Sequence, residues 1–268
     1  MVKSIVRLCA VCAALFMPAT GAVLAASGSD DKPVKVIMPL WGPSIQADGT
    51  GMFVDIFRFV LEGHEDQYEI EYVSYDKALR LLLYSDADCA FPIGRSSILV
   101  SMKHEDPEQL IQSVPVLVSR TYLFSRPGMP LLSDMPSLEG KLLIQIRGEN
   151  YNHNFKTSQA RFWNVDSELD KVRVLLEGRG DAMLGSMPEI MISFRKLGVE
   201  VPPYDPAFSV LDYDNAITCR NTARGRDFVT LFSERVSETL EDGSLRKMIV
   251  EGGVPEAIVD AFLPTVAD

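Results

Sequence analysis

The sequence predicts an α/β protein built from two similar halves, and three observations carry this. Short apolar runs that read as strands alternate with segments of helical spacing, in the order β-α-β-α-β over residues 34–93. A β-α-β-α order restarts after residue 140. Between them lies a long strand-like run, 114–124, closed by the breaker Arg126-Pro127-Gly128-Met129-Pro130.

The elements follow in order. Val34 to Met38 is a strand ended by Pro39, and a turn-rich loop with Trp41-Gly42-Pro43 and Asp48-Gly49-Thr50-Gly51 follows. Met52 to Glu62 places Met52, Phe53, Ile56, Phe59 and Val60 at the spacing of one helical face. Tyr68 to Val73 alternates as a strand. Asp76 to Tyr84 reads as a helix with Asp76 as its cap. Cys89 to Ile93 is a buried strand, and 94–113 reads as polar and irregular. In the second half, Lys141 to Ile146 is a strand and Asp166 to Glu177 a helix. Asp181 to Leu184 is a strand and Pro188 to Leu197 a helix. Asn215 to Cys219 returns to strand. Arg226 to Leu240 and Leu245 to Val250 are helices stopped by Asp242-Gly243 and Gly252-Gly253.

Residues 1–25 read as a cleaved signal peptide. Lys3 and Arg7 precede the wholly apolar run Leu8 to Phe16, no acid occurs before Asp30, and Val23-Leu24-Ala25 supplies small residues for a cut after Ala25. The run is shorter than the roughly 20 apolar residues that span a bilayer. This places the mature chain in an exported compartment, most simply a periplasm. Cys89 and Cys219 remain there. An oxidising compartment permits a disulfide, but both lie in apolar strand-like runs, and the reading favours two buried thiols.

Among 268 residues, 47% are hydrophobic and the formal net charge is −11. That is globular composition, and its acidity argues against nucleic acid and anionic lipid as partners. No phosphate loop, dinucleotide fingerprint, nucleophile elbow or metal-ligand spacing occurs. His64, His104 and His153 are scattered. Neither a metal nor a cofactor is expected.

Four segments, in order, are similar to the family 3 bacterial extracellular solute-binding proteins. They are Trp41-Gly42-Pro43-Ser44 with Gly49-Thr50-Gly51 through Asp55-Ile56; Leu79 to Asp88; Val174-Leu175-Leu176-Glu177-Gly178-Arg179-Gly180-Asp181-Ala182; and Leu240-Glu241-Asp242-Gly243-Ser244 through Ile249. The resemblance implies a type II periplasmic-binding architecture of two α/β lobes joined by two hinge strands. Lobe 1 would be 34–117 with 215–268, lobe 2 would be 121–212, and the hinge strands Val116 to Leu123 and Tyr213 to Ile217. It implies a monomer that binds a small molecule between its lobes and hands it to the membrane permease of an ABC transporter, without catalysis.

The same resemblance points to Trp41 and Ser186 as ligand-binding residues; Arg95 follows a buried strand end where the cleft is expected, the loop of Gly148, Asn150 and Tyr151 precedes a helical turn whose backbone N–H groups suit an anion, and Tyr75 is a further cleft candidate. In amino-acid-binding members an Arg holds the ligand carboxylate and an Asp its ammonium group; here those places are Val100 and Ser186, with Arg95 nearby in sequence. A hydroxyl does not supply the charge that holds a buried ammonium. The expectation is therefore a ligand other than a standard α-amino acid, and a neutral, aromatic or anionic one. Two alternatives stay open: an enzyme resembling cyclohexadienyl dehydratases, with Glu149 or Asp212 as proton donor, and a ligand-binding partner of a sensor or redox system.

Overall fold

The computed structural model describes residues 32–84, 87–102, 106–147, 149, 151 and 154–265. The segment read as a signal peptide lies outside them. The fold occupies the unit Pro33–Asp268. Its elements run β1 (Val34–Pro39), α1 (Met52–Val60), β2 (Tyr68–Val73), α2 (Tyr75–Tyr84), β3 (Cys89–Ala90), α3 (Arg95–Met102), β4 (Leu110–Gln112), β5 (Leu117–Ser125), β6 (Leu142–Ile146), β7 (Arg161–Val165), α4 (Glu168–Leu176), β8 (Ala182–Met187), α5 (Ile190–Leu197), β9 (Tyr204–Asn215), β10 (Thr218–Arg220), α6 (Ala223–Glu241), α7 (Ser244–Glu251) and α8 (Glu256–Val259).

The strands form two five-stranded sheets, ordered β2-β1-β3-β10-β4 and β7-β6-β8-β5-β9. In the first, β2, β1 and β3 are parallel and β10 runs antiparallel between β3 and β4. In the second, β7, β6 and β8 are parallel and β5 runs antiparallel between β8 and β9. The halves thus share a topology, as the restarted pattern predicts. The chain enters the second sheet between β4 and β5 and leaves it between β9 and β10; β5 and β9 pair there, Leu117 opposite Asn215.

Strand β1 reads Val-Lys-Val-Ile-Met-Pro and is buried on both faces, as a parallel strand covered on both sides must be. Val36 and Met38 face α1 and α6, where Phe53, Phe57, Phe91 and Phe232 pack ring on ring. Ile37 faces the other way, toward Ala78, Leu79 and Leu82 of α2. Helix α1 begins after Gly51, where φ is +124° and a Cβ would meet the Ser44 carbonyl at 2.5 Å, so only glycine fits.

Four sequence expectations are corrected. The stretch 94–113 holds α3 and β4. Helix α2 starts at Tyr75, with Asp76 inside its first turn and the Ser74 carbonyl accepting from the Ala78 amide at 2.9 Å. Strand β7 and most of β9 are additions: the expected hinge strand Tyr213 to Ile217 covers only the end of β9, which starts at Tyr204 and carries Pro206 and several acids. Finally, Cys89 and Cys219 are not thiols. They face each other across β3 and β10 and form a disulfide. Their burial is as expected, but the register that opposes them is invisible in either strand alone.

Candidate functional site

The carboxyl ends of parallel strands are where an open α/β sheet exposes loop groups to a ligand. Here the loops after β1, β6 and β8 meet. After β1 the chain turns at Trp41, whose amide donates to the Ile45 carbonyl at 3.0 Å. The turn Gly42–Ser44 packs on α4 and α5 of the second half. The Trp41 ring lies 6.1 Å, at 17°, from that of Tyr213 on β9. Gly42 has φ +51°, and a Cβ there would lie 3.0 Å from Glu168 Cγ. This glycine permits a backbone of the first half to close against a side chain of the second.

Beneath this contact is a buried polar cluster. Lys171 of α4 is 1% exposed; its Nζ lies 3.0 Å from Glu168 Oε1 and 3.9 Å from Glu149 Oε2. Glu149, just past β6, also accepts from the Ile146 amide at 2.8 Å. Burial, with Glu168 adding and Lys171 opposing, pushes the Glu149 carboxyl up to about 7. Burial pulls the Lys171 ammonium down, but Glu149 and Glu168 more than offset it and the group ends above its ordinary value.

A second set lies where the strands cross between sheets. Glu189, just before α5, accepts a short hydrogen bond from the Ser119 hydroxyl, and Asn215 Nδ2 donates to Ser119 Oγ at 2.5 Å and to Glu189 Oε1 at 3.4 Å. Burial pushes the Glu189 carboxyl up to about 7; its hydrogen bond from Ser119 opposes and the charge of Glu168 adds. Between the sets, Thr121 and Ser186 bring their hydroxyls to 3.2 Å, and Tyr151 is directed at both. Burial, then the charge of Glu149, raises the Tyr151 hydroxyl well above its ordinary range. Tyr213 is raised likewise by burial, then by Glu189.

The sequence-derived candidates divide accordingly. Trp41, Tyr151 and Ser186 meet in this region. Tyr75 stands beside Ser101 at its edge, where burial raises its hydroxyl and Glu149 adds to the effect. Arg95 stands apart at the exposed start of α3, its amide bonded to Gln112 Oε1 at 2.6 Å and its guanidinium to the Leu110 carbonyl at 3.4 Å. Gly148 and Asn150 lie outside the described residues. Asp212 is exposed and paired with Arg120 at 3.4 Å. Val100 is 62% exposed. Sequence reading missed Glu168, Lys171 and Glu189. The signal for the first two is their register on α4: Glu168, Lys171, Val172 and Leu175 form one stripe, so two charges occupy the face that the apolar residues bury.

Surface hollows lie elsewhere. One is lined by Met129, Leu131 and Lys141, another by Arg58, Phe59 and Met248. Neither gathers buried polar groups, so the cluster between the sheets is the candidate site.

No protein-family model matches the sequence, and no curated protein matches it. Solved structures do match the fold. The ligand-binding core of GluR0 from Nostoc punctiforme, solved with L-glutamate, aligns at TM-score 0.64 and 13% identity over 82% of this chain and 98% of that one. A substrate-binding protein of an amino acid ABC transporter aligns at TM-score 0.61 and 13% identity over 81% and 97%. A histidine kinase sensor domain with similarity to periplasmic binding proteins aligns at TM-score 0.64 and 16% identity over 84% and 98%. The chain has the two-lobed type II periplasmic-binding fold. Among the described residues, no helix is long and apolar enough to cross a membrane.

Proposed function

We propose that this chain is an exported, monomeric binding protein that captures a small organic molecule between its lobes and delivers it to the permease of an ABC transporter. The observation that carries the reading is the buried polar cluster of the second half, from β5, β8, β9, α4 and the loops after β6 and β8, closed over by the Trp41–Ser44 turn of the first half. Residues 34–117 with 215–268 would move against 121–212, hinged where β5 and β9 cross between sheets. The solved relatives that bind amino acids or serve as a sensor support ligand capture on this fold.

The ligand is not a standard α-amino acid. Val100 stands where an Arg would hold its carboxylate, Arg95 is turned to β4, and the buried Lys171 is engaged by two carboxylates. Thermal-shift screening of the full chain against common amino acids, sugars, amines and carboxylates tests the reading. A ligand at 100 times its Kd stabilises by about 2.7 kcal/mol. A screen in which nothing raises the midpoint rejects it. Glu149, mostly covered and pushed up to about 7, favours one second reading, a dehydratase-like enzyme using it as the proton donor. Turnover of a cyclohexadienyl acid that Glu149→Gln abolishes would select that reading.

A further inference from the structure

We infer that the occupant of this cleft is an organic ammonium ion without a carboxylate, held by Glu168 and Glu189. The inference rests on the reading of the cluster as the ligand site and names the chemistry that the site takes. It departs from the sequence-based expectation of a neutral or anionic ligand, because the acid missing at Ser186 is supplied from other positions.

The charge balance comes first. At pH 8, Glu149, Glu168 and Glu189 contribute three carboxylates, and Lys171 is the ammonium within reach, already shared by Glu149 and Glu168. The partners of Glu189 Oε1 are a hydroxyl and an amide, those of Ser119 and Asn215, rather than a cation. The unmet groups come second. Glu168 Oε2, Glu189 Oε2 and Asn215 Oδ1 are buried acceptors without a hydrogen-bond partner, on residues only 7%, 5% and 0% exposed. A buried carboxylate oxygen left without a donor costs stability, and a ligand carrying only donors and positive charge removes that cost. An ammonium group is such a ligand; a carboxylate or halide would add to the repulsion.

The two carboxylates belong to one neighbourhood. Glu168 bears electrostatically on both Glu189 and Tyr151, and Tyr213 feels Glu189 and Glu149. Trp41 and Tyr213 stack on each other at the same place, with Phe53 stacked on Trp41 as well, and give the neighbourhood an aromatic wall. Among the described residues no three His, Cys, Asp or Glu side chains are grouped to hold a metal ion. The missing carboxylate partner excludes the zwitterion for the reason given above.

The test is calorimetric titration of the full chain at pH 8 and low salt with benzylamine, tyramine and 1,4-diaminobutane. Benzyl alcohol, benzoate and phenylalanine are the uncharged, anionic and zwitterionic counterparts. At least one amine should bind tenfold or more tighter than benzyl alcohol and phenylalanine, and benzoate should bind weakest. Glu189→Gln should lower amine affinity at least tenfold and so remove most of the preference for the amine over benzyl alcohol. Benzoate or phenylalanine binding more tightly than every amine overturns the inference, as does an E189Q variant that binds amine like the parent. If no amine binds while a sugar or carboxylate from the wider screen does, the ammonium inference falls and the capture reading stands. If nothing in that screen binds, the capture reading falls first.

Discussion

Replacing Glu189 with glutamine keeps the shape of the side chain and removes its charge. The folded carboxyl holds its proton up to a pH of about 7, against 4.5 for the ordinary group, with burial as the chief cause. Between those values the folded state binds more protons than the unfolded one. Stability therefore falls as pH rises through the window, and above about 7 the ionised group exacts its full cost. At roughly 1.4 kcal/mol per pH unit, the gap corresponds to about 3.5 kcal/mol as an upper bound. Glutamine mimics the protonated form at every pH and still accepts from Ser119. Glu189→Gln should thus stabilise the protein by about 1–3 kcal/mol at pH 8, or about 3–10 °C for a chain of this size, and by little at pH 5. Urea unfolding at both pH values measures this. A variant no more stable than the parent at pH 8, or equally favoured at pH 5, would refute the reasoning. Glu189 is a cleaner case than Glu149, whose side chain keeps 18% of its surface exposed.

Three further outcomes are expected. Lys171→Met leaves Glu168 and Glu149 buried without their cation and should cost about 3–5 kcal/mol at pH 8 in urea unfolding, largely recovered when combined with Glu168→Gln. Reducing the Cys89–Cys219 disulfide, which closes a separation of 130 residues, should lower stability by about 2–5 kcal/mol, and the intact protein should show neither thiol to a thiol reagent in denaturant. Gly42→Val introduces atoms within 3.0 Å of Glu168 at a backbone φ of +51°; small-angle scattering should report a larger radius than for the parent, and amine titration a weaker affinity.

The α/β class was legible because its signals are local. Continuous apolar strands such as Val34–Pro39 and the amphipathic α1 and α6 declare themselves by composition and period. Even there the buried face of α1 includes Phe57 more fully than Phe59. Strand β9 escaped because half its residues face solvent and its acids and Pro206 resemble a loop; pairing with β5 along its length makes it a strand. The aromatic part of the site was readable from position, since Trp41 and Tyr151 follow strand ends. Its charged part was not. Lys171 and Glu189 look like surface residues until α4 and α5 are seen beneath the Trp41–Ser44 turn, a contact between segments more than 120 positions apart.

The disulfide also settles how the molecule behaves when cut. Everything from β4 through β9 lies between Cys89 and Cys219, including the exposed turn at Met129 and Leu131. A protease that severs one peptide bond there produces two polypeptides, yet neither can diffuse away. The piece carrying α6, α7 and α8 remains covalently attached to the sheet on which those helices pack. A nicked molecule should therefore migrate as one species on a non-reducing gel and as two after reduction. One cut in this stretch thus damages the chain without dismantling it.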